Sequence, residues 1–528
     1  MSAGVAILFV IFALIGAPLF AIFGGAAMVL FHNLPNTSIM GAANDVFSEK
    51  FADSPLLVTI PLFTFAGYLM AESGTPHRLV QLSRAWFGWL PGGLAIVCLV
   101  ASAFFTTFTG GSGITIVAIG GLLYPALLYD RYPEKFSLGL ITSGGSLGLL
   151  FPPSLPIILY GVVAGVQIEK LFLAGIVPGT LTVVALSVYA VYTGKKMKMK
   201  REPFQWGAAF KVLGVAKWEV LLPVVLLGGM YSGLLRIHEA AAFTAIYTLV
   251  IEVWIYRDVS FTKDLPRIIR DSMTLVGAIL AILATAIGFT SYLIQARVPM
   301  MILDMMSSVI TSQVMFLICL NLFLIVVGML MDIFSAIVVV VPLIAPIAER
   351  FGVDPYHLGI IFLLNLEIGY LTPPVGLNLF ISSFRFEKPI TTVYRSVIPF
   401  IALLIVALGL TTYVPQLSTW LPDVVYGAGA TEVTPLGGPG GQPGVAPTLN
   451  ELGGGPTAEQ PAPDEGTGGG LDELEGEGGT KDSTGGGGLD ELEHETGGGG
   501  AKGSTGGGGL DELEHETGAG GANDAAPR

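Results

Sequence analysis

Four short clusters of glycine, proline and hydroxyl residues interrupt an otherwise apolar chain, and chemistry is expected there. The first holds Thr109, Gly110, Ser112 and Gly113, and the second Pro152, Pro153 and Ser154. The third centres on Met331–Phe334, with Gly328, Asp332 and Ser335, and the fourth holds Thr372, Pro373, Pro374, Gly376 and Asn378. Unwound carbonyls and hydroxyls offer partial negative charge without a full carboxylate. A small hard cation such as sodium accepts that donor set, and half-helix dipoles assist nearby ligands. The competing reading of any single Ser or Thr is a hydroxyl bonded to its own helix backbone.

Two acids lie within apolar stretches: Asp332 after Phe316–Met331, and Glu367 inside Ile360–Tyr370. Ionisable groups at membrane depth are costly and face a cavity or a partner. Asp332 equally suits a cap on the half-helix that follows, and Glu367 a structural role satisfied by Asn365 and backbone donors. An anionic substrate asks for a cation, and Arg297, Arg350 and Arg385 are available, although at segment ends such residues normally anchor the interface. Six histidines without an HxxxH or HExxH pairing, and two cysteines in apolar stretches (Cys98 and Cys319), give no disulfide framework and no metal site beyond sodium. An intramembrane hydrolase would need Ser112 or Ser154 beside an embedded His or Lys, and none is evident. Neither an enzyme nor a cofactor is expected.

The elements that must position these clusters are membrane helices. Of 528 residues, 52% are hydrophobic and 12% charged, against about 25% charged in soluble proteins. A bilayer core takes about 20 apolar residues per helix. On that measure the spans fall at 4–31, 55–72, 92–130, 135–166, 169–193, 217–235, 238–257, 272–296, 313–347, 357–384 and 394–421. The apolar run from Val5 to Phe31 has no Lys or Arg before Lys50. It is expected to be a retained segment, bent at Gly16-Ala17-Pro18, rather than a cleaved signal. The four clusters break 92–130, 135–166, 313–347 and 357–384. Each break frees backbone groups that lipid cannot satisfy, so it must be buried in protein or line a wet cavity. Lys195–Arg201 carries five positive charges in seven residues, which places that loop on the cytoplasmic side. Trp86, Trp89, Tyr124, Tyr129 and Tyr132 read as interfacial aromatics.

The breaks repeat. A gapless shift of 221 residues places Gly67 on Gly288, Cys98 on Cys319, Pro125 on Pro346, Gly148 on Gly369, and Pro152-Pro153 on Pro373-Pro374. This is an internal duplication of roughly 55–193 in 276–421. With 92–130 as a re-entrant hairpin, an odd number of crossings separates the two copies, which inverts the second. Inverted repeats with discontinuous helices at matching positions are the signature of secondary transporters.

The net charge of −14 belongs to the end of the chain. Residues from Thr431 onward carry 19 acidic and 3 basic side chains, and the remainder is slightly positive. No basic domain exists to bind nucleic acid. After Tyr426 there is no aromatic residue, and the last 98 residues hold 31 of the 70 glycines. The segment Thr484–Thr496 recurs as Thr505–Thr517. Such a segment buries too little apolar surface to offset its ordering entropy, and disorder is expected.

The motifs resemble the large membrane (M) subunit of tripartite ATP-independent periplasmic (TRAP) transporters. They are Ile60-Pro61-Leu62-Phe63 with Ala66-Gly67, Gly92-Gly93-Leu94-Ala95, and Gly144-Gly145-Ser146-Leu147-Gly148 leading to Pro152-Pro153-Ser154. Tyr160-Gly161 and Leu171–Gly175 follow. In the second half they are Gly328-Met329-Leu330-Met331-Asp332, Asp354–His357 and Ile368–Gly376. The likeness covers about 4–421. It implies sodium-driven import of organic acids, a periplasmic substrate-binding protein, a small Q-type membrane subunit, residence in a bacterial or archaeal inner membrane, and elevator-like movement of a transport domain against a scaffold. The first cluster, Phe-Thr-Gly-Gly-Ser-Gly, departs from the family's usual Ser-Gly-Ser-Ser, and the acidic tail is foreign to the family pattern.

The expected fold is an all-α polytopic membrane protein with two inverted repeats, re-entrant hairpins and broken helices, plus a disordered acidic tail. Its divisions are a membrane segment and loop at 1–54, repeat one at 55–193, a basic loop with scaffold helices at 194–275, repeat two at 276–421, and the tail at 422–528. Two rival readings are an ion-coupled anion carrier that needs no binding protein, and a membrane scaffold recruiting partners through its tail.

Overall fold

The computed structural model describes residues 12, 17–32, 55–199, 203–298, 301–302, 310 and 312–427. Among these no strand forms. Most of the membrane segment and loop expected at 1–54, and residues 428–528 of the expected tail, lie outside the described residues.

The first described helix, α1 (Leu19–His32), packs on α12 (Asp264–Gln295). A 3-10 turn at Pro55–Val58 leads into α2 (Thr59–Ala71), and α3 (Thr75–Phe87) follows at a bend of 73°. Next come α4 (Gly93–Thr109), α5 (Ser112–Tyr129), α6 (Glu134–Gly144), α7 (Leu155–Ala164) and the long α8 (Ile168–Lys196). A central group holds α9 (Trp206–Val215), α10 (Lys217–Tyr231) and α11 (Ile237–Val250), which ends in a π turn at Ile251–Ile255. After α12 stand α13 (Gln313–Leu330), α14 (Ile333–Arg350), α15 (Pro355–Gly369), α16 (Leu377–Arg385), α17 (Ile390–Tyr413) and α18 (Gln416–Tyr426). Seven of the described helices are long and apolar enough to cross a bilayer, or up to ten if each bent pair is one span.

The starts of the second-half helices are written locally. The Ser312 hydroxyl accepts from Met315 N at 3.2 Å, and Asp354 Oδ1 accepts from Tyr356 N and His357 N at 2.9 Å with Pro355 opening α15. Both are side-chain caps on orphan N–H groups.

Four elements differ from the hydropathy reading, one of them α9, which lies between the expected spans 169–193 and 217–235. Helix α3 was not expected as a separate element, because it is amphipathic and its polar residues Arg78, Gln81, Ser83 and Arg84 hide it from an apolar count. Helix α12 begins at Asp264, not near 272. Its first two turns carry Asp264, Arg267, Arg270 and Asp271, which hide them from an apolar count. The expected segment 394–421 divides at Val414-Pro415, and α18 continues through Tyr426, past the position at which the tail was expected to begin.

Element boundaries recur at the 221-residue offset. Helices α5 and α14 are both 18 residues long and 221 positions apart at each end. The ends of α4 and α13, and those of α7 and α16, agree to within a residue on the same shift. Contacts recur as well, with partners exchanged. Helix α5 packs on α16 while α14 packs on α7, and α6 packs on α17 while α15 packs on α8. Reciprocal pairing of this kind is what a two-fold relation produces. Ser146 and Glu367, themselves 221 apart, touch each other.

Close backbone crossings repeat too. A Cβ on Gly148 would lie 2.2 Å from the Ala103 carbonyl oxygen, and one on Gly369 would lie 2.6 Å from the Gly328 backbone. Only glycine permits helices to approach that closely beside the breaks.

Away from the breaks, one ionic cluster ties α3 to the central helices. Arg78 pairs with Glu219, with Glu252 at 2.9 Å and with Asp258, and its guanidinium lies 3.8 Å from the centroid of the Tyr256 ring. Glu219 and Glu252 are buried. Loss of Arg78 would leave buried carboxylates without their counter-ion, a costly state in a low-dielectric interior.

Candidate functional site

The α4–α5 hairpin turns at Gly110 and Gly111. Gly110 ends α4 with φ of 62°, a left-handed conformation in which a side chain is strained. Thr109, Gly110 and Ser112 are buried. The Ser112 hydroxyl donates to Asn378 Oδ1 at 2.7 Å, joining this tip to the first turn of α16. A Cβ on Gly110 would meet the Leu155 Cβ at 2.7 Å, so the tip also rests on the start of α7, beside Ser154. Behind the tip, Thr106 Oγ1 donates to Ser102 O at 2.8 Å or to Gly145 O at 2.9 Å, and lies 2.7 Å from Thr115 Oγ1.

Three buried polar atoms at this tip lack a hydrogen-bond partner: Thr109 Oγ1, Ser154 Oγ and Asn378 Nδ2. Buried polar groups are nearly always paired, so an unpartnered group asks for a ligand or water. Exchanging the amide oxygen and nitrogen of Asn378 would keep its bond with Ser112 and turn the unpartnered atom into an oxygen. The donor set is neutral and oxygen-rich, which suits a monovalent cation better than a divalent one that seeks carboxylates.

The second half builds a related turn with different groups. Helix α13 ends at Leu330, and Asp332 caps α14, its Oδ2 accepting from Phe334 N and Ser335 N at 3.1 Å each. Ile333 N donates to the Tyr370 hydroxyl. Gly376 N donates to Met329 O at 3.2 Å, which holds the fourth break against the third. Gly376 therefore touches one hairpin and Asn378, two residues on, touches the other. Gly328 packs on Gly369. Ser335 is buried, whereas Asp332, Pro373 and Pro374 are exposed and Thr372 is half-buried. The Pro152-Pro153 and Pro373-Pro374 bonds are both cis.

The thirteen residues singled out by sequence thus fall into two groups. Thr109, Gly110, Ser112, Gly113, Ser154 and Asn378 gather at the first tip, with Pro152 in the turn before Ser154. Gly328, Asp332, Ser335, Thr372, Pro373 and Gly376 gather at the second. The Thr372 hydroxyl donates to Ile368 O at 2.8 Å, the plain backbone role weighed for it. Asp332 is exposed rather than embedded among side chains, and its carboxylate takes the capping role that the sequence also offered it. Glu367 is fully buried, yet Asn365 does not satisfy it. Asn365 Nδ2 donates to Asn321 Oδ1 and Ile361 O instead, Ser146 Oγ reaches Glu367 Oε1 only at 3.5 Å, and Oε2 has no partner. None of Arg297, Arg350 and Arg385 stands at a break. Arg385 closes α16 at the far end from Gly376, with its Nε 3.4 Å from Val117 O.

Thr106, Ser146 and Tyr370 also serve the tips and were not singled out. The 221-residue shift could have found Ser146, because it maps directly onto Glu367. Helices α5, α7, α14 and α16 all begin at these breaks, so four positive dipole ends meet where the chain is unwound.

Broken membrane helices whose interrupted ends gather around buried oxygens have the plan of a membrane permease. The chain belongs to the family described as tripartite ATP-independent periplasmic transporter, DctM component, whose pattern matches residues 5–417. It is 34% identical over 446 residues to the C4-dicarboxylate TRAP transporter large permease protein DctM of Vibrio cholerae, covering 80% of this chain and 98% of that protein. It is also 34% identical over 411 residues to the isethionate TRAP transporter permease protein DctMQ of Oleidesulfovibrio alaskensis, covering 78% of this chain and 64% of that one. In fold it resembles the crystal structure of the Alcanivorax borkumensis YdaH transporter, with a TM-score of 0.53 at 14% identity, over 79% of this chain and 98% of that one. As a TRAP large permease, the chain is a multi-pass protein of the bacterial inner membrane.

Proposed function

We infer that this permease imports a small organic anion in symport with sodium. It receives the substrate from a periplasmic binding protein and works beside a small Q-type membrane subunit. The observation that carries the reading is the set of unpartnered buried atoms at the first tip, Thr109 Oγ1, Ser154 Oγ and Asn378 Nδ2. Dicarboxylates and isethionate, named for the two relatives, are both small organic anions. The Oleidesulfovibrio relative, longer than this chain and named DctMQ, supports a Q-type partner.

In this mechanism sodium binds at the Gly110–Gly113 and Thr372–Gly376 breaks, with Thr109, Ser112, Ser154 and Asn378 supplying or holding oxygens at the first. Binding orders the two tips and completes a site between them. The substrate anion meets the positive ends of half-helices and the bound cation, so no embedded Arg or Lys is required. The two repeats are inverted across the membrane, and the loaded domain shifts against the scaffold to release its cargo inward. Proteoliposomes containing this chain, the small subunit and the binding protein should accumulate labelled substrate only under an inward sodium gradient. Equal uptake with sodium replaced by choline on both sides would overturn the coupling.

A further inference from the structure

Between α3, α4 and α8 runs a groove of about 380 Å³ lined by eight apolar side chains, among them Phe87, Ile96, Val100, Val184 and Val188, with Ser187 as its one polar member. Val184 and Val188 are 51% and 63% exposed, so no described residue covers the α8 wall. Positions 184, 188, 191 and 195 share one face of α8 by their 4, 3 and 4 residue spacing. Val191 also lines the groove, and Lys195 stands one turn beyond it. Lys195, Lys196 and Lys198 are exposed, Lys200 and Arg201 follow in sequence, and no ion pair to Lys195 or Lys198 occurs among the described residues. Beside this end lies an aromatic cluster, with Phe204 against Trp86 and Trp89 at 6.4 Å each and against Trp206 at 4.9 Å. Trp89 and Trp206 are exposed, as expected at the headgroup level.

We propose that this groove is a binding site for an anionic phospholipid, one acyl chain lying on Val184, Val188 and Val191 and the phosphate beneath Lys195 and Lys198. The occupant follows from charge and depth together. An apolar trough that ends in unpaired lysines matches a molecule with an acyl chain and an anionic head, and the basic run faces the anionic cytoplasmic leaflet. A peptide helix would cover the valines but leave the lysines unanswered. The site holds one end of α8, which packs on α4 of the first hairpin and on α17, so the lipid would brace the helix behind the tip.

The test is native mass spectrometry of the full chain with its small subunit, released from vesicles of equal phosphatidylglycerol and phosphatidylcholine with matched acyl chains. The wild-type protein should retain phosphatidylglycerol in clear excess. The exposed double variant Lys195→Gln/Lys198→Gln should lose about 25-fold of that preference, at about five-fold per lysine. Lys195→Arg/Lys198→Arg should keep it, and Val188→Trp, which fills the trough, should retain little of either lipid. Retention without headgroup preference, a preference unchanged by the double Gln variant, or Val188 cross-linking to a helix of the small subunit would each overturn the proposal.

Discussion

The two hairpin tips share a backbone plan and differ in chemistry. At the first, Thr109, Ser112 and Ser154 are buried. Their counterparts 221 positions on are Leu330, Ile333 and Val375, of which Leu330 and Val375 are exposed. The second tip instead has a carboxylate, Asp332, at an open mouth. The two unwound turns therefore differ in surroundings: the first holds buried neutral hydroxyls, and the second an exposed carboxylate.

Substitution can break or sharpen that contrast. The largest effect should come from what the two tips have in common. Gly148→Val and Gly369→Val both drive a side chain into backbone, and each should lower stability by about 3 kcal/mol or more, measured as loss of monodisperse protein and a lower Tm in detergent. Near-native Tm for one of them would show that the two crossings are not equivalent. The next effect should separate the tips. Thr109→Ala/Ser154→Ala removes two unbonded hydroxyls, so stability should hold while the sodium concentration for half-maximal uptake rises about ten-fold. Thr372→Ala, whose hydroxyl is already bonded to Ile368 O, should leave that concentration within about two-fold, and an equal rise in both variants would abolish the distinction. The smallest effect concerns Asp332. Asp332→Ala should cost about 1 kcal/mol through loss of the cap, and Asp332→Asn a few tenths. If both variants lose the same uptake despite that difference, charge matters there beyond capping.

The four breaks were legible because Gly, Pro, Ser and Thr cannot continue an apolar helix unnoticed, and because the same gap recurs after 221 residues. What joins the breaks was not. The Ser112–Asn378 bond spans 266 positions, and no local pattern announces such a pair. Helix α3 escaped a search for apolar runs because its face toward the protein carries Arg78, and that residue's partners Glu219, Glu252 and Asp258 are scattered over α10, the π turn after α11 and the loop beyond it. Of the two roles that the sequence offers Asp332, the structure shows the helix cap, and its exposure was not legible for a related reason. An apolar run before an acid measures sequence, whereas exposure depends on which helix covers the next turn. Hydropathy counts see segments, and the site is made between them.

The exchanged partners of the two halves carry a mechanical consequence. Helix α16 packs on α5 and α7 packs on α14, so each half is finished by a helix of the other. A substitution in one half therefore reaches the break of the other, as a change at Asn378 would reach the first tip through its bond with Ser112.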